Sequence, residues 1–443
     1  MSFVNRRFGF ALGSAVFLVF SILYFLFNLK YLSRFFDWDS SVYALNIARD
    51  RWHSVFFNPH HLGFESSGYL YWKWIRVALD TTDIMFFLRV RILFFASVFL
   101  GIFGWIIYRM YGSILQSLFL TFAVGSSQAF WFYSHHNDTP LIHSCLVVIL
   151  YLFLVYLAKT GGNFFKIFSF GIFHLLTLLF HQSNAILFPL TLLGLCLMPT
   201  WNGKQLDWGR KLRLSFYYNI FVGVLIVGIY FFVGFFILGR DLESIGEKNF
   251  SYWLFLYASQ ERWGMATGDK NYILYFYRGI GDAFLNFQGV NSRFRTDFSS
   301  PWTLKNSAYN LNLLFWISIL GLGLLNFRRL LQKFSIEMLL MFFWLVPSIL
   351  FYTWWEGYFF EFWVGVSIGF WIFCFFVLRS LEVGFLSNTM RSLGTVLLII
   401  MGCFLFSYNF VYSTLPRSEK IQYGYLEGFK DKVERIANER IYK

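Results

Sequence analysis

The sequence predicts an all-α, polytopic membrane protein, and three observations predict it. Hydrophobic residues make up 57% of the chain and charged residues only 14%, a balance suited to lipid rather than water. Apolar runs long enough to cross about 30 Å of hydrocarbon recur along almost the whole length. Basic residues gather in alternate short loops, as the charge bias of multi-pass proteins requires. Aromatic residues reach 23%, so an aromatic cluster by itself says little here.

The first run, Phe8 to Leu29, follows Arg6 and Arg7 as a signal peptide would. It is too long for that and ends without a small-residue cleavage site, which predicts an uncleaved first span. Further runs lie near 86–107, 113–132, 140–157, 166–181, 183–199, 216–238, 307–326, 337–353, 360–378 and 393–413, for an expected total of about 11 spans. Between 166–181 and 183–199 only His181-Gln182-Ser183-Asn184 remains, so a tight hairpin or a re-entrant turn is expected there. Residues 1–413 would form the transmembrane domain, with a first outer loop at 30–85 and a long outer loop at 239–306. Both loops are expected to carry amphipathic helices, Tyr272 to Val290 being one that lies on the surface. Residues 414–443 are read as a polar outer tail.

With the N-terminus in the cytoplasm, the inner loops hold Arg109, Lys159, Lys211, Arg328, Arg329 and Arg379 among other basic residues, against only Asp207, Glu337 and Glu382. Most of the formal net charge of +13 is thus topological and gives no reason to expect a nucleic-acid partner. The four cysteines sit inside apolar runs without ligand spacing and read as packing residues. No internal repeat or glycine-rich phosphate loop is present.

The same topology puts every unusual polar cluster outside: Asp37 with Asp39, His60-His61, His135-His136-Asn137-Asp138, His181-Gln182, and Trp354-Trp355-Glu356 with Glu361. One site at the outer membrane surface would produce such one-sided clustering. Charges so near hydrocarbon are costly without a function or a partner. Sugar transfer to a hydroxyl needs a carboxylate to take the acceptor proton, and a second group to hold the acceptor or a metal. Asp39 also suits the cap of a helix running through SSVYALNIARD, and Asp37 a solvated position beside it.

The run Asp39-Ser40-Ser41-Val42-Tyr43, just after the first span, resembles the first-loop motif of the GT-C glycosyltransferase superfamily. Protein O-mannosyltransferases and the aminoarabinose transferase of lipid A belong to that superfamily. The resemblance matches Asp39 to the catalytic Asp, Tyr43 to the aromatic residue four positions on, and Ala48 to a small residue in the following helix. Ser40 departs from it, since many members carry a second acid there; Asp37 would supply that acid from the other side. Asn58-Pro59-His60-His61-Leu62-Gly63 is similar to the Pro/His-rich turn of several bacterial GT-C families, and Asp138 is placed like their second-loop acid.

The resemblance implies an inverting enzyme of the cell envelope, in a bacterial inner membrane with its active site extracytoplasmic. It implies a polyprenyl-phosphate sugar as donor and a lipid, glycan or protein as acceptor. Asp39 would be the general base, with Asp37 and Asp138 on acceptor, phosphate or metal. A divalent metal, Mg or Mn, would sit on Asp39 and Asp138. His60, His61 and His136 would contact donor phosphate or an ion; no metal spacing such as His-x-x-x-His occurs, so no zinc site is expected. Arg89 and Arg91, at the outer start of the second span, suit a phosphate or ordinary snorkelling to headgroups. His181 is a further site candidate, whereas His174, seven residues before it, reads as an interhelical hydrogen bonder. Glu356 and Glu361 lie among aromatic residues fit to stack on a sugar ring, or to form an interfacial belt.

Two other classes fit the chain. A transporter or flippase of envelope lipids would place ionisable residues well inside its spans, and the span centres carry no charges. A membrane O-acyltransferase would pair a His with Asn or Asp within the membrane, for which His174 or His181 with Asn184 is the sequence hint.

Overall fold

The computed structural model describes residues 3–36, 38–49, 57–245, 248–255, 272–285, 304–356, 360–382, 387–419 and 422–423. It is an all-α integral membrane protein of many passes. Among the described residues eight helices are long and apolar enough to cross a membrane. They comprise α1 (Phe3–Lys30), α4 (Ile84–Tyr111), α7 (Pro140–Thr160), α10 (Trp208–Phe231), α13 (Leu304–Leu325), α14 (Phe327–Glu356), α15 (Val364–Ser380) and α16 (Ser387–Asn409). The shorter helices are α2 (Trp38–Ala48), α3 (Leu62–Leu79), α5 (Ile114–Ser126), α6 (Gln128–Ser134), α8 (Phe164–Phe180), α9 (Phe188–Cys196), α11 (Phe250–Phe255), α12 (Tyr272–Phe284) and α17 (Leu415–Glu419).

Three of the expected spans are not among these eight helices. The run 113–132 is not one helix but two, because Ser127 adopts an extended conformation between α5 and α6. Its hydroxyl accepts from Trp371 Nε1 at 2.8 Å and donates to the Ala123 carbonyl at 2.9 Å. A side chain held this way competes with the regular helix ladder. The run 166–181 is α8, and at 17 residues it rises only about 25 Å. A sharp turn at extended His181 then leads into a 3₁₀ segment, Gln182–Leu187, and α9.

Burial sorts the helices. α7 packs against α4, α8, α9, α14 and α15 and is buried nearly all round, as a uniformly apolar helix at the centre of a bundle should be. α15 is its equally buried neighbour. The outer helices leave large apolar side chains bare, including Leu18 and Leu23 of α1, Phe221 and Val224 of α10, and Leu324 of α13. Such a surface is stable against lipid tails and unstable in water. α1 lies close on α4 because Gly101 and Gly104 admit Phe17 and Ser21 where a Cβ would collide.

The ends of the bundle differ. At one end Lys159, closing α7, pairs with buried Glu337, whose carboxylate also accepts from the Tyr111 hydroxyl at 3.0 Å. Nearby, Arg379 pairs with Glu382 at 2.8 Å, and Gln116 donates to the same carboxylate. At the other end of these helices, about 30 Å away along α7, lie the starts of α4, α7 and α15 and the finish of α1.

The tail boundary drawn at 413/414 falls inside a helical segment. α16 continues through a π-helical turn, Phe410–Thr414, into α17. Beyond it, β2 (Gln422–Tyr423) pairs in parallel with β1 (Phe35–Phe36) of the first loop. Buried Arg417 lies over the rings of Phe132 and Phe35. α12 is amphipathic, as expected, with Tyr272 and Ile273 exposed. Its other face docks on α6, α14, α15 and the 3₁₀ turn Phe360–Trp363.

Candidate functional site

Two groups of side chains meet at the α4, α7 and α15 starts. The first is a set of carboxylates, Asp39, Asp138 and Glu361, whose oxygens lie within 4.8 Å of one another. Asp39 stands in the first turn of α2, which begins at Trp38, so it is not the cap residue that its sequence context suggested. It is exposed, Asp138 is buried and Glu361 is half-buried. Asp138 is held by the turn before α7, where its Oδ1 accepts from the Thr139 backbone at 2.6 Å. Glu361 sits in the 3₁₀ turn that leads into α15 and accepts from the Tyr133 hydroxyl at 3.4 Å.

The second group is imidazole. One ring nitrogen from each of His60, His61 and His181 lies within 4.8 Å of the others, and the His143 ring centroid is 4.4 Å from that of His181. The local sequence explains the pose of the first two. Asn58 caps the 3₁₀ turn by accepting from the His60 backbone at 2.9 Å, Pro59 starts it, and the Tyr230 hydroxyl ties down the Pro59 carbonyl at 2.6 Å. Burial pushes His60 down to about 4, and His61 and His181 also well below the ordinary histidine range. Burial thus favours the neutral form of these rings and weakens them as cationic contacts for a phosphate.

Tyr43 joins the groups. Its ring is 5.9 Å from His61 and 5.3 Å from Phe64. Burial raises its hydroxyl pKa first, and the charges of Asp39, Asp138, Glu65 and Glu361 raise it further. Five separate stretches of chain therefore contribute to one polar region.

The basic residues frame this region. Arg91 donates to the Phe64 carbonyl and Ser67 hydroxyl, both at 3.3 Å, and to Asn137 Oδ1 at 3.2 Å. Its Nε is buried with no protein partner. Gly68 makes room, since a Cβ there would come within 2.7 Å of Arg91 Nη1. Arg89 donates to the Met85 carbonyl at 3.0 Å and to the Ser33 carbonyl, which pins the entry of the first loop to α4. His136 stacks on Phe132 at 3.8 Å and pairs with its carbonyl.

His135 proves structural. Its Nε2 pairs with Asn28 Oδ1 at 2.9 Å, where Trp131 Nε1 also donates at 2.5 Å. Asn28 in turn donates to the Tyr24 carbonyl. Asn28→Ala would strand a buried indole N–H and an imidazole, and is expected to destabilise the protein by about 2–4 kcal/mol. A melting curve in detergent tests this, and a variant that melts with the wild type would refute it. His174, as expected, is an interhelical bonder, 3.3 Å from the Tyr218 hydroxyl.

Asp37 lies outside the described residues, as does the side chain of Glu356. Sequence reasoning passed over three residues. Glu65, 1% exposed, accepts from Asn46 at 2.8 Å, and burial pushes its carboxyl up to about 8. His143 hides one turn inside an apolar span, and Asn28 ends another. An isolated polar residue at the end of an apolar run is the available signal for both of these.

Fold and site together define an integral, multi-pass, all-α membrane protein with a polar site at one end of its helices. Compared with protein-family models, with curated proteins and with solved structures, the chain has no match in any of the three.

Proposed function

We propose that this protein is an inverting glycosyltransferase of GT-C type. It moves a sugar from a polyprenyl-phosphate-linked donor to an extracytoplasmic lipid, glycan or protein acceptor. The observation that carries the reading is the convergence of Asp39, Asp138 and Glu361 within 4.8 Å at one end of the bundle. Three carboxylates converging from separate parts of the chain are the donor set that a proton, an acceptor hydroxyl or a hard cation would engage. The basic residues Lys159, Arg379 and Arg391 mark the opposite end, and the charge bias of short loops makes that end cytoplasmic. A bacterial inner membrane is the setting the GT-C resemblance implies.

Asp39, the exposed member, takes the proton of the acceptor hydroxyl. As that oxygen bonds to the anomeric carbon, the bond from this carbon to the phosphate oxygen breaks, and its electron pair leaves with the polyprenyl phosphate. Inversion follows from attack opposite the leaving group. Arg91, whose planar fork lies between α3 and the 135–138 turn, would hold phosphate oxygens. Tyr43 walls the site beside His61. Hard oxygen donors such as Asp138 and Glu361 fit Mg or Mn, and the ion when bound supplies positive charge against the leaving phosphate.

Mass spectrometry of envelope glycolipids and glycoproteins from a deletion strain tests the reading. A fixed sugar mass should vanish and return with the wild-type gene. An unchanged glycan profile sinks it. One observation favours acyl transfer as a second reading: His143, inside α7, lies against the Asn184 side chain. Labelled acyl donors set beside labelled polyprenyl-phosphate sugars separate the two.

A further inference from the structure

Four of the eight histidines meet at one place, and they come from three elements: His60 and His61 from the first-loop 3₁₀ turn, His143 from α7, and His181 from the end of α8. Nothing in the carboxylate chemistry above needs them. Packing alone explains them poorly. Buried polar atoms are almost always partnered, yet Nδ1 of His61 and Nδ1 of His143, in residues 8% and 2% exposed, have no hydrogen-bond partner.

What surrounds the rings is organised. The consecutive residues Gln182, Ser183 and Asn184 each address a different imidazole. Ser183 Oγ lies 2.6 Å from His181 Nδ1, while the side chains of Gln182 and Asn184 lie against His60 and His143. Asn184 is itself fixed by donating to the Thr177 carbonyl at 2.8 Å. One nitrogen of a ring held from outside while the other faces its fellows is the arrangement metal-binding histidines show. In His181 the Nδ1 side is the one held, accepting from the Ser183 backbone N–H at 3.3 Å beside the Ser183 hydroxyl, which fixes the ring and turns Nε2 away from that turn.

We propose that His60, His61, His143 and His181 form a binding site for a zinc-class divalent transition metal, separate from the carboxylate group. Imidazole nitrogens suit Zn²⁺, and four of them satisfy its tetrahedral preference. A tetrahedral ion with bonds of about 2.0–2.1 Å needs nitrogens about 3.4 Å apart, so the triad, now within 4.8 Å, closes by rotation of its rings. The ion ties the first-loop turn to α7 and to the 181–187 turn. The sequence conceals the site because its ligands are spread over more than a hundred residues, with only the adjacent pair His60-His61 as a trace.

The test uses the full chain in detergent, purified without a polyhistidine tag, stripped with chelator and titrated with Zn²⁺ and with Co²⁺. One ion per chain is expected, with a tetrahedral, nitrogen-ligated Co²⁺ spectrum and a higher melting temperature in Zn²⁺. His143→Ala and His181→Ala should each weaken uptake at least tenfold, whereas His174→Ala and Asp39→Asn should keep it. Should a cluster variant fail to purify, the wild-type Co²⁺ spectrum decides alone. No uptake, six-coordinate oxygen ligation, or metal lost with Asp39→Asn and kept with His181→Ala would each overturn the proposal. None of these outcomes depends on sugar transfer, so this site and the proposed activity stand or fall apart.

Discussion

Asp39→Asn is expected to lower sugar transfer by about 10²–10⁴-fold, the contribution of a positioned general base, while the protein still inserts and folds. The substitution keeps the shape of an exposed side chain, so packing hardly changes. It also removes one of three negative charges within 4.8 Å, which relieves repulsion. The melting temperature should therefore stay near that of the wild type as activity disappears. Transfer from a polyprenyl-phosphate sugar in proteoliposomes, measured beside a melting curve in detergent, gives both readings. Wild-type turnover by the variant would make Asp39 no more than a first-turn residue of α2.

The second large effect concerns Glu65. Its carboxyl titrates at about 8 in the folded protein because it is buried, against an ordinary value of 4.5, although the bond from Asn46 works the other way. Protonated Glu65 favours the folded state. This contribution is complete below about pH 4.5, declines as pH rises, and is gone above about pH 8. At 1.36 kcal/mol per pKa unit the span is about 4–5 kcal/mol. Glu65→Gln keeps a neutral partner for Asn46 and has no proton to lose. Wild type and variant should melt together near pH 5, and the variant should melt higher by pH 8. Parallel curves across this range would show that Glu65 is ionised throughout.

Periodicity and length made the spans legible, because an apolar run in α4 or α7 reads the same whatever it packs against. The break at Ser127 was not legible. It depends on Trp371, which arrives from α15, far along the chain. The site divides along the same line. Asp39, Tyr43, His60, His61, Asp138 and His181 stood out as polar residues at the ends of apolar runs. Which of them meet is decided by helix packing, and adjacent residues part company: His135 turns to Asn28, while Asp138 turns to Asp39 and Glu361. Glu65 was concealed by an ordinary amphipathic context in α3, and His143 by the apolar residues on either side of it.

The short parallel pairing of Phe35–Phe36 with Gln422–Tyr423 joins the first loop to the last described stretch of the chain. Translation runs from one to the other, so the strand that braces the loop emerges only after every long apolar helix has been made. Glu361, too, comes late. A nascent chain halfway through synthesis holds Asp39 and Asp138 but lacks both their third partner and the clasp beside them. The three carboxylates and the clasp beside them can therefore come together only once the chain has been made through Tyr423.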